Sequence, residues 1–325
     1  MSDVVLVASQ NGLGHARRVF HYAKGFRDLG YATSVLISDK QEKLLFNELT
    51  DIQHKNRVVT SHSIGLDGPS TLSPSRSDPS ADIIELLSNS KLVISDNLIW
   101  PSKYAKLFYL MGHFNWIDYW ANSADSEKIL LAKKESDELA AIKRWLAPRH
   151  FSYTSIDLLK NIKSTIPLPQ YTTDNIAADC VNEVWLASGT TGLNSEFPPC
   201  LVTATKENLE IRKRESYKLS SSIAPLAIIG RPGFGTMRDA IAHGVPFLPS
   251  WSGMDSELDH NCLVLMNLGL LPVGFDKTNP LAINTLEWLR SGTARRLIVD
   301  FWNSNSDSIV SIVSEIIGMS RIEEK

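Results

Sequence analysis

The sequence predicts an α/β protein with two doubly wound parallel-sheet domains, because two strand–turn–helix units lie far apart in the chain. In the later unit, residues 226–229 are apolar and β-prone, residues 231–235 form a glycine turn, and helical spacing begins at Thr236. In the earlier unit, a buried strand at 4–8 and a turn at 11–14 lead into a helix at 15–29, which Gly30 ends. We therefore expect two Rossmann-like domains that face each other across a cleft.

The other elements are consistent with this division. We predict further strands at 33–38, 92–95 and 106–111 and an amphipathic helix in 123–146. The segment 164–175, with Pro167 and Pro169, is typical of a linker. The second half then alternates helices with strands that we place at 183–187, 200–203, 226–229, 245–248 and 272–275. The predicted domains are 1–165 and 166–306, with a C-terminal helix in 307–325 that could pack back on the first domain.

Composition excludes several classes of protein. The 325 residues are 43% hydrophobic and 21% charged with a net charge of −3, so the chain has no overall attraction to nucleic acid. Its three cysteines are scattered, which argues against structural disulfides and a zinc site. No apolar run approaches the roughly 18 residues of a spanning helix, and no signal peptide is evident. We expect a cytoplasmic protein; peripheral membrane contact stays open, and the oligomeric state is not predicted.

The glycine turn at 231–235 suits a phosphate group. A turn that feeds a helix start presents free backbone N–H groups and a partial positive charge. Gly233 and Gly235 let the main chain approach an anion closely, and Thr236 adds a hydroxyl donor. A plain strand-to-helix turn explains the local pattern equally well, so this prediction depends on the rest of the chain.

Several motifs, taken in order, resemble those of the GT-B class of nucleotide-sugar glycosyltransferases. A Gly-x-Gly-His-x-x-Arg motif spans residues 12–18, and residues 93–96 and 113–116 are also similar to the first domain of that class. The pattern over residues 232–270 is similar to its donor-binding domain. The resemblance implies two domains of GT-B architecture, with the nucleotide diphosphate on the C-terminal domain and the acceptor on the N-terminal one.

The resemblance also implies roles for particular residues. His15 would be the general base, and Asp96, which follows a buried strand, is our candidate for the carboxylate that orients it. The candidates for donor and phosphate binding are Gly12, Gly14, Ser188, Gly189, Thr190, Arg231, Gly233, Phe234, Gly235, Thr236 and Asp239, and those for the sugar are Asp255, Glu257 and Asn261. Arg17 and Arg18 are further candidates for phosphate contact. Enzymes of this class need no metal held by an Asp-x-Glu pair, so we expect neither a metal nor a cofactor.

These residues lead to one preferred function and two alternatives. The preferred function is inverting transfer of a sugar from a nucleoside diphosphate sugar, such as a UDP-sugar, to an acceptor hydroxyl. A nucleotide-sugar hydrolase on the same fold, or a nucleotide-binding partner protein without catalysis, remains possible at this point. A dehydrogenase is disfavoured, since Arg17 stands where the dinucleotide fingerprint has its third glycine.

Overall fold

The computed structural model describes residues 2–9, 13–38, 41–43, 57–60, 79–121, 126–171, 176, 179–187, 209–214, 223–251 and 256–323. These residues form two compact units. The first comprises Met1–Pro169 and Asp307–Lys325, and the second comprises Gln170–Ser306.

The first unit is built on a seven-stranded parallel sheet. Its strands are β1 (Val4–Val7), β2 (Thr33–Ile37), β3 (Arg57–Thr60), β4 (Leu92–Asp96), β5 (Phe108–Met111), β6 (Arg144–Pro148) and β7 (Lys163–Ile166), in the spatial order β3-β2-β1-β4-β5-β6-β7. The order reverses at β1, which lies between β2 and β4. Ligands of such sheets bind beyond the carboxyl ends of the strands at this reversal.

Helices accompany this sheet along the chain. They are α1 (Leu13–Asp28), α2 (Ala81–Asn89), α3 (Trp116–Ala121), α4 (Ser126–Ser136) and α5 (Asp157–Asn161), with short 3-10 turns at Trp100–Lys103 and Leu139–Ala141. Gly30 has a φ of +87° and ends α1, as its sequence position predicts. The apolar core includes Val5, Val7, Val93, Leu110 and Trp145, all fully buried.

The second unit has a four-stranded parallel sheet. Its strands are β9 (Asp179–Ala187), β10 (Glu210–Arg214), β11 (Ile223–Gly230) and β12 (Phe247–Pro249), in the order β10-β9-β11-β12. Its helices are α6 (Phe234–Ala242), α7 (Ser256–Asn267), α8 (Ile283–Arg290) and α9 (Thr293–Asn305). Two short strands at the chain crossings, β8 (Leu168–Gln170) and β13 (Ser306–Ser308), pair with each other.

The last helix, α10 (Ile309–Glu323), belongs to the first unit and packs on α1. A Cβ added to Gly25 of α1 would lie 3.0 Å from Val313 Cγ2, so the glycine permits close helix packing. Arg321 Nη2 also donates to the Tyr31 hydroxyl at 3.2 Å.

Two sequence predictions are wrong in detail. Residues 272–275 form a turn and not a strand: the Phe275 N–H donates to the Pro272 carbonyl, and Gly274 has a φ of +72°. The helix predicted over 123–146 ends at Ser136, because the apolar residues from Trp145 onward join the sheet as β6. The strand predicted at 200–203 lies outside the described residues.

Among the described residues, no helix combines the length and the apolar character that crossing a bilayer requires.

Candidate functional site

Two predicted site residues lie close together at the carboxyl ends of the central strands of the first sheet. His15 lies in the first turn of α1, just beyond the β1 strand, and Asp96 is the last residue of the neighbouring β4. Val7 pairs with Ser95, so the carboxyl ends of these two strands are side by side. This register brings His15 Nδ1 to 3.1 Å from Asp96 Oδ1. The structure therefore places together the histidine and the carboxylate that the sequence nominated.

Arg18 occupies the other oxygen of the same carboxylate. Its Nε donates to Asp96 Oδ2 at 2.8 Å, and one turn of α1 separates it from His15. Burial of Asp96 by itself raises its pKa, but the cationic Arg18 and then His15 outweigh that effect, so the pKa of Asp96 is lowered below its ordinary value. Asp96 is fully buried, with the Arg18 guanidinium as its cationic partner. Arg18, considered for phosphate contact from the sequence, is thus an ion-pair partner of this carboxylate.

A second histidine completes this group, which we call the carboxylate cluster: His15, Arg18, Asp96 and His113. His113 follows β5, the strand next to β4, and its Nδ1 lies 3.5 Å from Arg18 Nη1. Sequence reasoning gave His113 and Arg18 no role beside Asp96. The signal for Arg18 was its spacing of three residues from His15, which puts both on one helix face.

The outer nitrogen of His15 has access to a ligand. The side chain is 10% exposed, and Nε2 makes no hydrogen bond to any residue that the structure describes. The Trp116 ring lies nearby, at 6.5 Å between ring centroids. An imidazole fixed through Nδ1, with Nε2 free of hydrogen bonds to described residues, is positioned to act as a general base once Nε2 carries no proton.

The backbone that carries Asp96 is held by an unusual contact. Asn97, directly after Asp96, has a φ of +64°, and Gly112, directly after β5, has a φ of +145°. With its amide nitrogen directed inward, Asn97 donates to the carbonyl oxygens of Phe114 at 2.7 Å and Met111 at 3.1 Å. The amide fills the space that a side chain at Gly112 would need. This contact fixes the end of β4 against the end of β5.

The predicted phosphate turn lies in the second unit, between β11 and α6. Gly233 caps α6 with an extended backbone, and its carbonyl accepts the Met237 N–H at 3.1 Å. A Cβ on Gly233 or on Gly235 would meet no atom of the described residues within 4 Å. No described side chain therefore covers these two glycines. Phe234 in the same turn is buried.

The side chains around this turn have different surroundings. Arg231 and Thr236 are half-buried. Asp239 pairs with Arg238 at 2.8 Å, so this carboxylate, which we predicted to bind the donor, already has a cationic partner. Arg238 is itself buried, and its guanidinium lies 3.9 Å from the centre of the Tyr171 ring.

Asn261 supports the turn from behind. It is fully buried on α7, and its Nδ2 donates to the Pro232 carbonyl at 2.8 Å. Its Oδ1 has no hydrogen-bond partner among the described residues. Glu257 lies one turn earlier on α7 and is half-buried. Asn261 thus contacts the turn directly, whereas its predicted contact with a sugar stays a prediction.

The remaining predicted residues divide into two groups. Gly14 lies in the first turn of α1, exposed, beside His15. Gly12, Ser188, Gly189, Thr190 and Asp255 lie outside the described residues. Within the part of the chain that the structure describes, no group of three or more His, Cys, Asp or Glu side chains is arranged to hold a metal ion.

Comparison with known proteins gives matches of structure only. No family model matches the chain, and no curated protein matches it in sequence. UGT2 of Phytolacca americana, solved with UDP-2-fluoro-glucose and pterostilbene, has a TM-score of 0.64 at 12% identity, over 98% of this chain and 99% of that one. The glycosyltransferase VinC, solved with dTDP, has a TM-score of 0.61 at 14% identity, with coverage of 98% and 99%. The glycosyltransferase SnogD of Streptomyces nogalater has a TM-score of 0.59 at 15% identity, with coverage of 98% and 100%.

These likenesses extend over both units, and the predicted fold class is confirmed. The chain has the two-domain α/β fold of the GT-B glycosyltransferases.

Proposed function

We propose that this protein transfers a glycosyl group from a nucleoside diphosphate sugar to the hydroxyl group of an acceptor. The observation that carries the proposal is the contact of 3.1 Å between His15 and the fully buried Asp96, within a GT-B fold. VinC and SnogD, which share the fold, are named as glycosyltransferases, and the molecules bound in the solved structures of UGT2 and VinC include UDP-2-fluoro-glucose and dTDP.

His15 is the proposed general base. Asp96 holds Nδ1, and Nε2 removes the proton from the acceptor hydroxyl as its oxygen attacks the anomeric carbon of the donor. The bond between that carbon and the diphosphate oxygen breaks, and the diphosphate leaves with the electron pair. A single displacement of this kind inverts the configuration at the anomeric carbon.

The turn between β11 and α6 is the proposed site of the diphosphate. Negative charge develops on the phosphate oxygens as the diphosphate leaves. The backbone N–H groups at the start of α6 can stabilise this charge by donating hydrogen bonds, without a metal ion. The lack of any described atom within 4 Å of a Cβ at Gly233 or Gly235 supports this assignment. Arg231, Thr236 and Asp239 are the side chains we assign to the same ligand, and Glu257 and Asp255 to its sugar.

The first experiment is a thermal-shift titration with UDP and dTDP, with NAD as the control ligand. A ligand at ~100 times its Kd stabilises the folded state by about 2.7 kcal/mol, which is readily measured. Binding of either nucleoside diphosphate but not of NAD is expected. Absence of binding by every nucleoside diphosphate tested would overturn the donor site.

The second experiment measures transfer from UDP-glucose and dTDP-glucose to a panel of phenolic and sugar hydroxyl acceptors. His15→Gln should lower the rate by about 10²–10⁴-fold while nucleotide affinity stays constant, because the base acts only on the acceptor proton. His21→Gln, the same substitution further along α1, is the matched control and should keep wild-type activity. Product NMR reports the anomeric configuration, and retention would overturn the single displacement.

The same assay separates transfer from hydrolysis. A transferase releases free sugar slowly until an acceptor is present. Release of sugar at one rate, with and without acceptor, would identify a hydrolase that uses His15 to activate water.

A further inference from the structure

We propose that Arg18 is a positioning residue that competes with Asp96 for Nδ1 of His15 and thereby sets the tautomer of the imidazole ring. The proposal rests on His15 as the base of the proposed function, but its principal test does not require activity. It follows from three atoms that share one small space: His15 Nδ1, Asp96 Oδ1 and Arg18 Nη2.

Two neighbours make opposite demands on the same nitrogen. Arg18 Nη2 lies 3.3 Å from His15 Nδ1, and Asp96 Oδ1 lies 3.1 Å from it. A guanidinium can only donate hydrogen bonds, and an ionised carboxylate can only accept them. Nδ1 must therefore lack a proton to pair with Arg18 and must carry one to pair with Asp96.

The geometry favours Arg18 in the ligand-free protein. The contact between Arg18 Nη2 and His15 Nδ1 has the direction of a hydrogen bond. Asp96 Oδ1 is close to Nδ1 yet accepts no well-directed hydrogen bond from any described residue. Asp96 is instead bound through its second oxygen, to Arg18 Nε at 2.8 Å. The resting ring then carries its proton on Nε2.

A proton on Nε2 prevents the ring from acting as a base at that atom. Catalysis requires the proton to move to Nδ1, where Asp96 accepts it and leaves Nε2 free. The charged and titratable groups around this exchange are Asp96 on β4, Arg18 on α1 and His113 after β5, which lies 3.5 Å from Arg18 Nη1. Arg18 therefore keeps His15 in an inactive tautomer until the hydrogen bond between the guanidinium and Nδ1 breaks.

The test reads the tautomer directly, by ¹⁵N chemical shifts of the imidazole nitrogens in the folded, ligand-free protein. The chain has eight histidines, and the signals of His15 are those missing from His15→Gln. In the wild type we expect the Nε2–H form to predominate; in Arg18→Met we expect the Nδ1–H form. Arg17→Met removes the same charge from the adjacent exposed position and should leave the signals unchanged.

Several results would overturn the proposal. They are a wild-type ring that already carries its proton on Nδ1, an unchanged tautomer in Arg18→Met, and an equal effect of Arg17→Met. If Arg18→Met fails to fold, Arg18→Lys replaces it, since an ammonium group can pair with Asp96 but lacks the second arm that reaches Nδ1. Arg18→Lys is then expected to show the Nδ1–H form, and a wild-type tautomer in it would overturn the proposal.

The rate of transfer is measured on the same proteins. An absence of transfer in all proteins would contradict the proposed function and would leave the tautomer result standing.

Discussion

The replacement of Gly112 by alanine tests how strictly the carboxylate cluster depends on the ends of two strands. A Cβ at this position would lie 1.8 Å from an amide atom of Asn97, far inside contact distance. The Asn97 amide must then leave its two carbonyl partners, at a cost of about 1–3 kcal/mol. The φ of +145° adds about 1–3 kcal/mol of backbone strain for a residue with a side chain. We expect Gly112→Ala to lower the free energy of unfolding by at least about 3 kcal/mol.

Urea unfolding followed by tryptophan fluorescence measures this loss. Gly318→Ala is the matched control, because a Cβ at Gly318 in α10 would meet no atom of another part of the described chain within 4 Å. An alanine in a helix interior should raise stability by up to about 1 kcal/mol. A loss below about 1 kcal/mol in Gly112→Ala would refute the reasoning, since it would mean that Asn97 moves aside without cost.

Three further predictions concern the two candidate sites. Asn261→Ala removes the hydrogen bond to the Pro232 carbonyl and should weaken UDP binding about tenfold, as measured by calorimetry. The control is Asn284→Ala, on the exposed start of α8, which should leave UDP affinity unchanged. Gly235→Ala should leave the free energy of unfolding in urea unchanged, because its Cβ meets no described atom within 4 Å, but it should reduce UDP affinity by obstructing the proposed diphosphate site; unchanged affinity would contradict that site. Because its partners lower the pKa of Asp96 below 3.8, its ion pair stabilises the fold above that pH, and this stabilisation is lost as the pH falls through the folded-state pKa. Asp96→Asn should therefore lower the free energy of unfolding by about 3–5 kcal/mol at pH 7, and this difference from the wild type should become smaller at acidic pH.

The main elements of both sheets could be predicted because local signals agree with the fold. Apolar runs end in glycine turns at both strand–turn–helix units, and Gly30 and Gly244 adopt the positive φ expected after a helix. The nomination of Asp96 followed from one rule, that side chains at the carboxyl ends of parallel strands share an edge. His15 came from the resemblance to a known motif.

The parts that sequence reasoning missed depend on contacts between distant residues. Arg18 and Asp96 are 78 positions apart, and nothing in the residues around Arg18 indicates a buried carboxylate partner. The start of β6 was predicted as part of a helix, because the local spacing of apolar residues fits a helix as well as a strand. Its pairing with β5 and β7 makes it a strand. The hydrogen bond from Asn261 to the Pro232 carbonyl was likewise not foreseen, while its predicted contact with a sugar stays a prediction.

The packing of α10 on α1 has a consequence for the order in which the chain can fold. The first unit needs residues from both sides of the second in sequence, whereas Gln170–Ser306 is contiguous. On the ribosome, all residues of the second unit are present once Ser306 has emerged. At that point Val313 of α10, which packs against Gly25 of α1, has not yet emerged. His15 therefore lies on a helix whose packing partner, α10, is synthesised more than a hundred residues after the strand that carries Asp96, because the segment Gln170–Ser306 lies between them. Synthesis itself thus delays completion of the proposed active site until the second unit can already be folded.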